Sequence, residues 1–464
     1  MDNFTKTGWW WIPSRDEDEI HGELTFNPQD GLEFTGHGTF GPGTWDVTSV
    51  VPVIHGRCDT TRISLHHCQV SSTTGTDEFT ARPTRALLGI YLDDPGDCTF
   101  STVAVEFSGL LEWSGLRGFT TQALKDTEQK PCYQVTQEHN EIGPCTTKYA
   151  EISITSGSSF SWSRGIAEFR ATSVVLFKSD ESRTFESWMD LCIRPVNEFF
   201  DLCANNAVGI KSVIAYFPDP DDEESDPRQI PVRVIYNPIY SDDDKGFRVD
   251  LLRFRDIEGD WCRVLERWLI IHRELRPVMN FFFSSWYREM YAENRFIDAV
   301  FALEAYHRIR YRNYVDEPEV HAKRLASILE AVGKESPDDL EWLKEKLEYT
   351  NEPRLRQRLK DIMRTVDPVT KGLLKTRSQR KAFVRLVVDT RNSLAHPEGE
   401  PKGGAVRTGT NYVWNTERLS WLLKACFLLE AGLDLDVVEN LITRHPRFMH
   451  LASLPVSEWE NPPV

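Results

Sequence analysis

The hydrophobic period of this 464-residue chain changes once, from two residues to about 3.6, and that change limits its fold more than any other feature. Before residue 250 the apolar residues alternate. "GELTFNPQDGLEFTGHGTF" holds two alternating runs around "NPQDG", a hairpin signal. "TRISLHHCQV", "TVAVEFSGL", "YAEISITSG", "GIAEFRATSVVLFKSD" and "IPVRVIYN" repeat the pattern, and Gly, Pro, Asp and Ser punctuate them. Strands of this length suggest a sandwich or an irregular barrel. One stretch interrupts them. "TFESWMDLCIRPVNEFFDLCANNAVGI" spaces Trp188, Leu191, Val196, Phe199, Phe200 and Leu202 as one helix, bent at Pro195.

From about residue 259 the spacing is helical. "WCRVLERWLIIHRELRPVMNFFFSSWY" and "RFIDAVFALEAYHRIRYRNY" put apolar residues at i, i+3, i+4 and i+7. Shorter amphipathic runs follow, then the long "NTERLSWLLKACFLLEAGL". "SPDDLEWL" reads as a helix start, with Ser336 as cap and Pro337 in the first turn. A single core rarely extends over so many residues. The expected fold is therefore α+β and multidomain: a mainly antiparallel β domain over 1–250, then an all-α bundle over 251–464.

Charge follows the same division. The chain carries −17, but residues 1–250 hold 20 Lys and Arg against 39 Asp and Glu, whereas 251–464 hold 34 against 32. The acidic balance argues against nucleic acid for the first half alone. The loop at 218–229, "PDPDDEESDPRQ", reads as a solvated surface loop, with mimicry of nucleic acid as the functional alternative. The opposite bias occurs over 354–385, with 11 basic residues and two acidic ones. Lys375, Arg377, Arg380 and Lys381 in that run are candidate RNA contacts.

Several classes are set aside. No run of about 18 apolar residues occurs, so no membrane span is expected. The first residues lack a cationic stretch followed by an apolar one, so a cytoplasmic protein is expected. Nine scattered cysteines without a CxxC pair suggest reduced thiols. His55, Cys58, His66, His67 and Cys68 cluster in sequence, yet their spacing fits no standard zinc pattern. No HExxH or clustered-carboxylate motif stands out, and "SDDDKG" lacks the spacing and final Glu of a calcium loop. No metal or cofactor is expected.

The stretch with most chemistry is "VVDTRNSLAHPEGE", 387–400. Phe383, Leu386, Val387, Thr390 and Leu394 form a core stripe, and Arg391 and Asn392 leave on another side. Asn392 and His396 share a face if the helix continues, and Pro397 loosens the last turn. The plain reading is a helix C-terminus with a favourable His. The other is a site combining a fixed cation, an amide and a titratable imidazole. Glu304 lies in the apolar run "FIDAVFALEAY" and needs a partner; Arg391 and Arg308 are both candidates. His307 beside it is a further candidate for the cleft.

An all-α domain with R-N-x-x-x-H near a helix end resembles the HEPN superfamily. "FALEAYHRIR" resembles the corresponding helix of ApeA-like HEPN proteins, and "GWWWIPSRDEDEIHGELTF" with "GLEFTGHGTF" resembles the N-terminal β domain of bacterial ApeA-type defence proteins. The resemblance implies metal-independent RNA cleavage. His396 would take the proton of the 2′-OH, Arg391 would stabilise the charge building on phosphorus, and Asn392 would hold the phosphate or orient the base. Glu304 and His307 would support them. Products would be a 2′,3′-cyclic phosphate and a 5′-OH. It further implies a homodimer, anti-phage defence by abortive infection, tRNA as a natural target, a phage-derived protein as trigger, and a β domain that senses or restrains; no DNA partner is expected. The competing reading is a non-catalytic HEPN binding module whose β domain recognises a partner through Trp9, Trp10 and Trp11.

Overall fold

The computed structural model describes residues 1–13, 15–40, 49–72, 78–125, 131–220, 222, 228–237, 251–395, 405–406 and 409–454. Two compact units divide the chain between Leu269 and Ile270, later than the expected 250/251. The packing explains the shift. Leu251 and Leu252 are buried, and the Trp113 indole donates to the Leu252 carbonyl at 2.9 Å. Trp261 and Trp268 lie against Phe199, and the Trp268 indole donates to the Pro195 carbonyl at 2.7 Å.

The first unit is built from strands β1 (Phe4–Trp11), β2 (Ile20–Asn27), β3 (Gly31–His37), β4 (Val50–Cys58), β5 (Thr61–Ser72), β6 (Glu78–Arg82), β7 (Arg85–Leu88) and β8 (Thr99–Phe107). A short helix α1 (Leu110–Ser114) leads to β9 (Phe119–Lys125), β10 (Pro131–Gln137), β11 (Glu141–Thr146), β12 (Glu151–Ser163) and β13 (Ile166–Thr184). Helices α2 (Phe185–Trp188) and α3 (Arg194–Ala204) precede β14 (Ile210–Pro218) and β15 (Gln229–Tyr236), and α4 (Trp261–Glu274) follows.

Strands β1 to β6 close on themselves in the order β1–β2–β3–β6–β5–β4–β1, an irregular antiparallel barrel. The "NPQDG" hairpin is the turn between Asn27 and Gly31, which pair across β2 and β3. Gly31 takes φ +86°, a conformation an L side chain resists. Leu24, Phe26, Phe34, Ile54, Leu65 and Phe79 fill the interior. Trp10 fits among them because its cross-strand partner is Gly56, where an added Cβ would lie 2.2 Å from the indole. Of the three adjacent tryptophans, Trp10 and Trp11 are buried and Trp9 is 49% exposed.

Strand β5 belongs to two structures. Ile63 to His66 pair with β7, and Gln69 to Ser72 pair with β6. His67 at φ 50° marks the switch, while the register against β4 runs unbroken past it. From β7 an open sheet continues as β15–β14–β8–β13–β12–β11. The helix expected over this region runs without a break from Phe185 to Ala204. A wider turn over Met189–Ile193 joins α2 to α3, so the irregularity comes just ahead of Pro195, where a helix has to accommodate a residue without an N–H. The reduced-thiol expectation fails at one pair: Cys145 of β11 and Cys262 of α4 form a disulfide. A separation of 117 residues leaves no local signature of it. Cys58 remains a thiol, and burial pushes its pKa up to about 11.

The second unit is helical: α5 (Arg276–Tyr287), α6 (Ala292–Arg310), α7 (Pro318–Glu335), α8 (Leu340–Leu347), α9 (Leu355–Thr365), α10 (Asp367–Leu373), α11 (Arg377–Ala395), α12 (Gly409–Glu430), α13 (Leu435–Thr443) and α14 (Pro446–Ser453). α6 is flanked by α5, α12, α9 and α11. The first long run of the sequence is broken at Leu275, ahead of Pro277. Ser336 opens a short 3-10 turn before α8, and its hydroxyl donates to Asp339 without capping the backbone. Among the described residues no helix is long and apolar enough to cross a membrane.

Candidate functional site

The helix that carries the motif, α11, starts on a reciprocal cap. The Gln379 N–H donates to the Thr376 hydroxyl at 3.1 Å, and the Thr376 N–H donates to the Gln379 side chain at 3.0 Å. Phe383, Val384, Leu386, Val387 and Thr390 are buried, which fixes the rotation of the helix. That rotation puts Arg380 and Arg391, about 20° apart around the axis and about 16 Å apart along it, on one side. Thr390 is anchored as well: its hydroxyl accepts from the Val406 N–H at 2.9 Å.

Arg391 is held but not saturated. One terminal nitrogen lies 3.8 Å from Glu304 Oε2, beyond hydrogen-bond reach. The other donates to Asn392 Oδ1 at 3.5 Å. Its Nε is buried without a hydrogen-bond partner among the described residues. A guanidinium has five N–H donors, and an unmade buried bond costs about 1–3 kcal/mol. The group is thus oriented by a carboxylate and retains capacity for an anion. Asn392 is exposed beside it. His396 lies outside the described residues.

α6 is fixed on both sides of Glu304. Tyr306 and Arg310 reach Glu430 of α12 at 3.1 and 2.8 Å. His307 does not line a cleft; it is buried at 1% exposure and both ring nitrogens are engaged. Arg358 of α9 donates to Nδ1 at 3.2 Å, so Nε2 carries the proton and faces Asp361 at 3.3 Å. Burial lowers its pKa, which favours the neutral ring. His307 therefore joins α6 to α9. Glu304 faces Arg391, while the alternative Arg308 pairs with Glu352 at 3.1 Å.

Arg358 was concealed in the basic run. It is 2% exposed, and it also donates to the Pro353 carbonyl at 2.8 Å and to Glu352 at 3.2 Å. The only available signal was its place next to Leu359 and Ile362 on the apolar face of α9. Other cations of the run stay outside. Lys360, Arg364, Arg377, Arg380 and Lys381 line an open cleft of about 430 Å³, with Asp367 the one acidic residue among its lining. Arg380 is braced by donating to the Leu374 carbonyl at 2.9 Å. Lys375 is exposed at the turn before α11.

Two family models match the chain, ApeA N-terminal domain 1 over residues 5–268 and Apea-like HEPN over 297–437. No curated protein and no solved structure matches it. The first model covers more than half the chain, and the second contains Glu304, Arg358, Arg391 and the cationic cleft. The chain belongs to the ApeA family, a HEPN nuclease family of anti-phage defence.

Proposed function

We propose that this chain is a metal-independent endoribonuclease whose R-x4-H site is Arg391 and His396, acting as a homodimer in abortive infection. The observation that carries the reading is the Arg391 guanidinium: beside Glu304, with Nε unpartnered among the described residues, at the end of a cationic helix face. RNA contains its own nucleophile, so the protein has to supply a base and a permanent cation. His396 takes the 2′-OH proton, since an imidazole titrates near neutral pH. Arg391 meets the charge developing on the phosphate oxygens. Asn392 binds phosphate or orients the imidazole. Lys375, Arg377, Arg380 and Lys381 hold neighbouring phosphates, and tRNA is a natural substrate for such a site. The β unit senses a phage-derived trigger or holds the nuclease in check.

Full-length wild type and His396→Ala, expressed in bacteria with and without phage, provide the test. Wild type is expected to yield cleaved small RNA with 2′,3′-cyclic phosphate ends, resistant to EDTA, and His396→Ala none. Equal RNA patterns from two equally folded proteins would leave a binding module instead.

A further inference from the structure

A second cavity, of about 590 Å³, opens beside the cationic cleft and shares Lys360 with it. Its walls are the segment after α6 and the start of α9. Two tyrosines line it, and each already has one face covered. The Tyr311 ring stacks on the buried His307 at 4.6 Å and 4°, and the Arg312 guanidinium lies 3.9 Å over the Tyr314 ring. The rim is pinned. The Val315 N–H donates to the Asn351 carbonyl at 2.8 Å, and the Asn351 side chain bonds the Asp316 backbone in both directions, at 2.9 and 3.1 Å. Flat rings held in place and a preformed wall suit a planar ligand, because little ordering remains to be done on binding.

The charges around the cavity are of two kinds. Glu352 and Asp361 are committed to Arg308, Arg358, His307 and Arg364. Arg354, Arg356 and Lys360 are exposed and have no carboxylate within ion-pair distance among the described residues. Aromatic faces interleaved with free cations are how single-stranded nucleic acid is held without sequence readout.

We propose that this cavity binds one unpaired nucleotide of an RNA strand, its base on Tyr311 and Tyr314 and its phosphate on Arg356 and Lys360, with the strand continuing into the cationic cleft. The assignment rests on the ribonuclease reading. An RNA strand fits better than a free nucleotide because Lys360 borders both cavities, so a phosphate held there lies between them. A stacking subsite selects for unpaired bases, so the enzyme discriminates loops from duplex before any cleavage occurs.

The test is binding, measured by fluorescence anisotropy on the full-length His396→Ala protein with a 12-nucleotide single strand and with the duplex of that sequence. Tyr314→Ala is expected to weaken single-strand binding about five- to a hundredfold and to leave duplex binding unchanged. Arg356→Ala, at an exposed position, is expected to lower the salt slope by about one and serves as the variant that keeps the fold. Unchanged single-strand affinity in both variants, alongside weakening by Lys381→Glu, overturns the subsite and leaves the ribonuclease reading intact. No salt-dependent RNA binding by the parent protein overturns both. Tyr314-dependent binding of ATP without Tyr314-dependent binding of the strand assigns the cavity to a free nucleotide and overturns the RNA version.

Discussion

Helix α6 meets two neighbours through an arginine, and the two seams are opposites. Against α9, Arg358 is fully enclosed and bonded to a carbonyl, an imidazole and a carboxylate. Against α11, Arg391 is partly open, 3.8 Å from its carboxylate, with a buried N–H unmatched among the described residues. The residue type and the helix are shared; the degree of satisfaction is not. Arg358 has its donors matched by the protein, as suits a cation of the scaffold. Arg391 keeps a donor unmatched among the described residues, at a small cost to the folded state, as suits the ligand role proposed for it.

Substitution should separate the two seams. Arg358→Ala is expected to have the largest effect, about 3–5 kcal/mol of lost stability, since it empties an enclosed site and leaves His307 Nδ1 and the Pro353 carbonyl without their donor; chemical denaturation of the full chain measures it. Arg391→Ala should do the reverse. RNA cleavage is expected to fall about 10²–10³-fold, with the thermal midpoint of wild type retained. A matching loss of stability would make Arg391 a scaffold residue and erase the contrast. Glu304→Gln should cost about tenfold in cleavage with little change in RNA affinity, because it orients the guanidinium and binds nothing itself.

Acid sharpens the comparison further. The folded pKa of His307 is depressed, chiefly by burial. Below the unfolded value of about 6.5 the unfolded chain takes up a proton that the folded one resists, so stability falls as pH falls. The slope attributable to His307 is at most about 1.4 kcal/mol per pH unit, read as the difference between wild type and His307→Gln from pH 6.5 to 5. The smallest effect is reserved for the cleft. Lys381→Ala should leave stability and cleavage chemistry alone and reduce the salt dependence of RNA binding by about one unit of slope.

The sequence carried the two-part architecture because period is a local property. Ile20, Leu24 and Phe26 alternate within one strand, and Phe383, Val387 and Thr390 repeat within one helix. It did not carry barrel closure, which depends on β5 changing partners at His67, nor the Cys145–Cys262 bond, since both join distant segments. Among the site residues, Glu304 stood out as a carboxylate inside an apolar run, and Arg391 through its spacing to His396 near a helix end. His307 was misjudged for a related reason: spacing told that it lies on α6 but not that Arg358 and Asp361 of another helix would enclose it. Arg358 looked like one more surface charge because net charge counts residues without regard to the face they occupy.

The bond from Val406 to Thr390 has an evolutionary consequence. The motif helix ends at Ala395, and Val406 is tied back to Thr390, the residue just before Arg391 and 16 positions earlier in sequence. Arg391 is therefore held from both sides in sequence, so changes of length between His396 and Val406 leave the arginine in place. Doubling such an excursion costs only about 0.6 kcal/mol in closure entropy. Related chains can therefore differ in length after His396 while Arg391 stays in register.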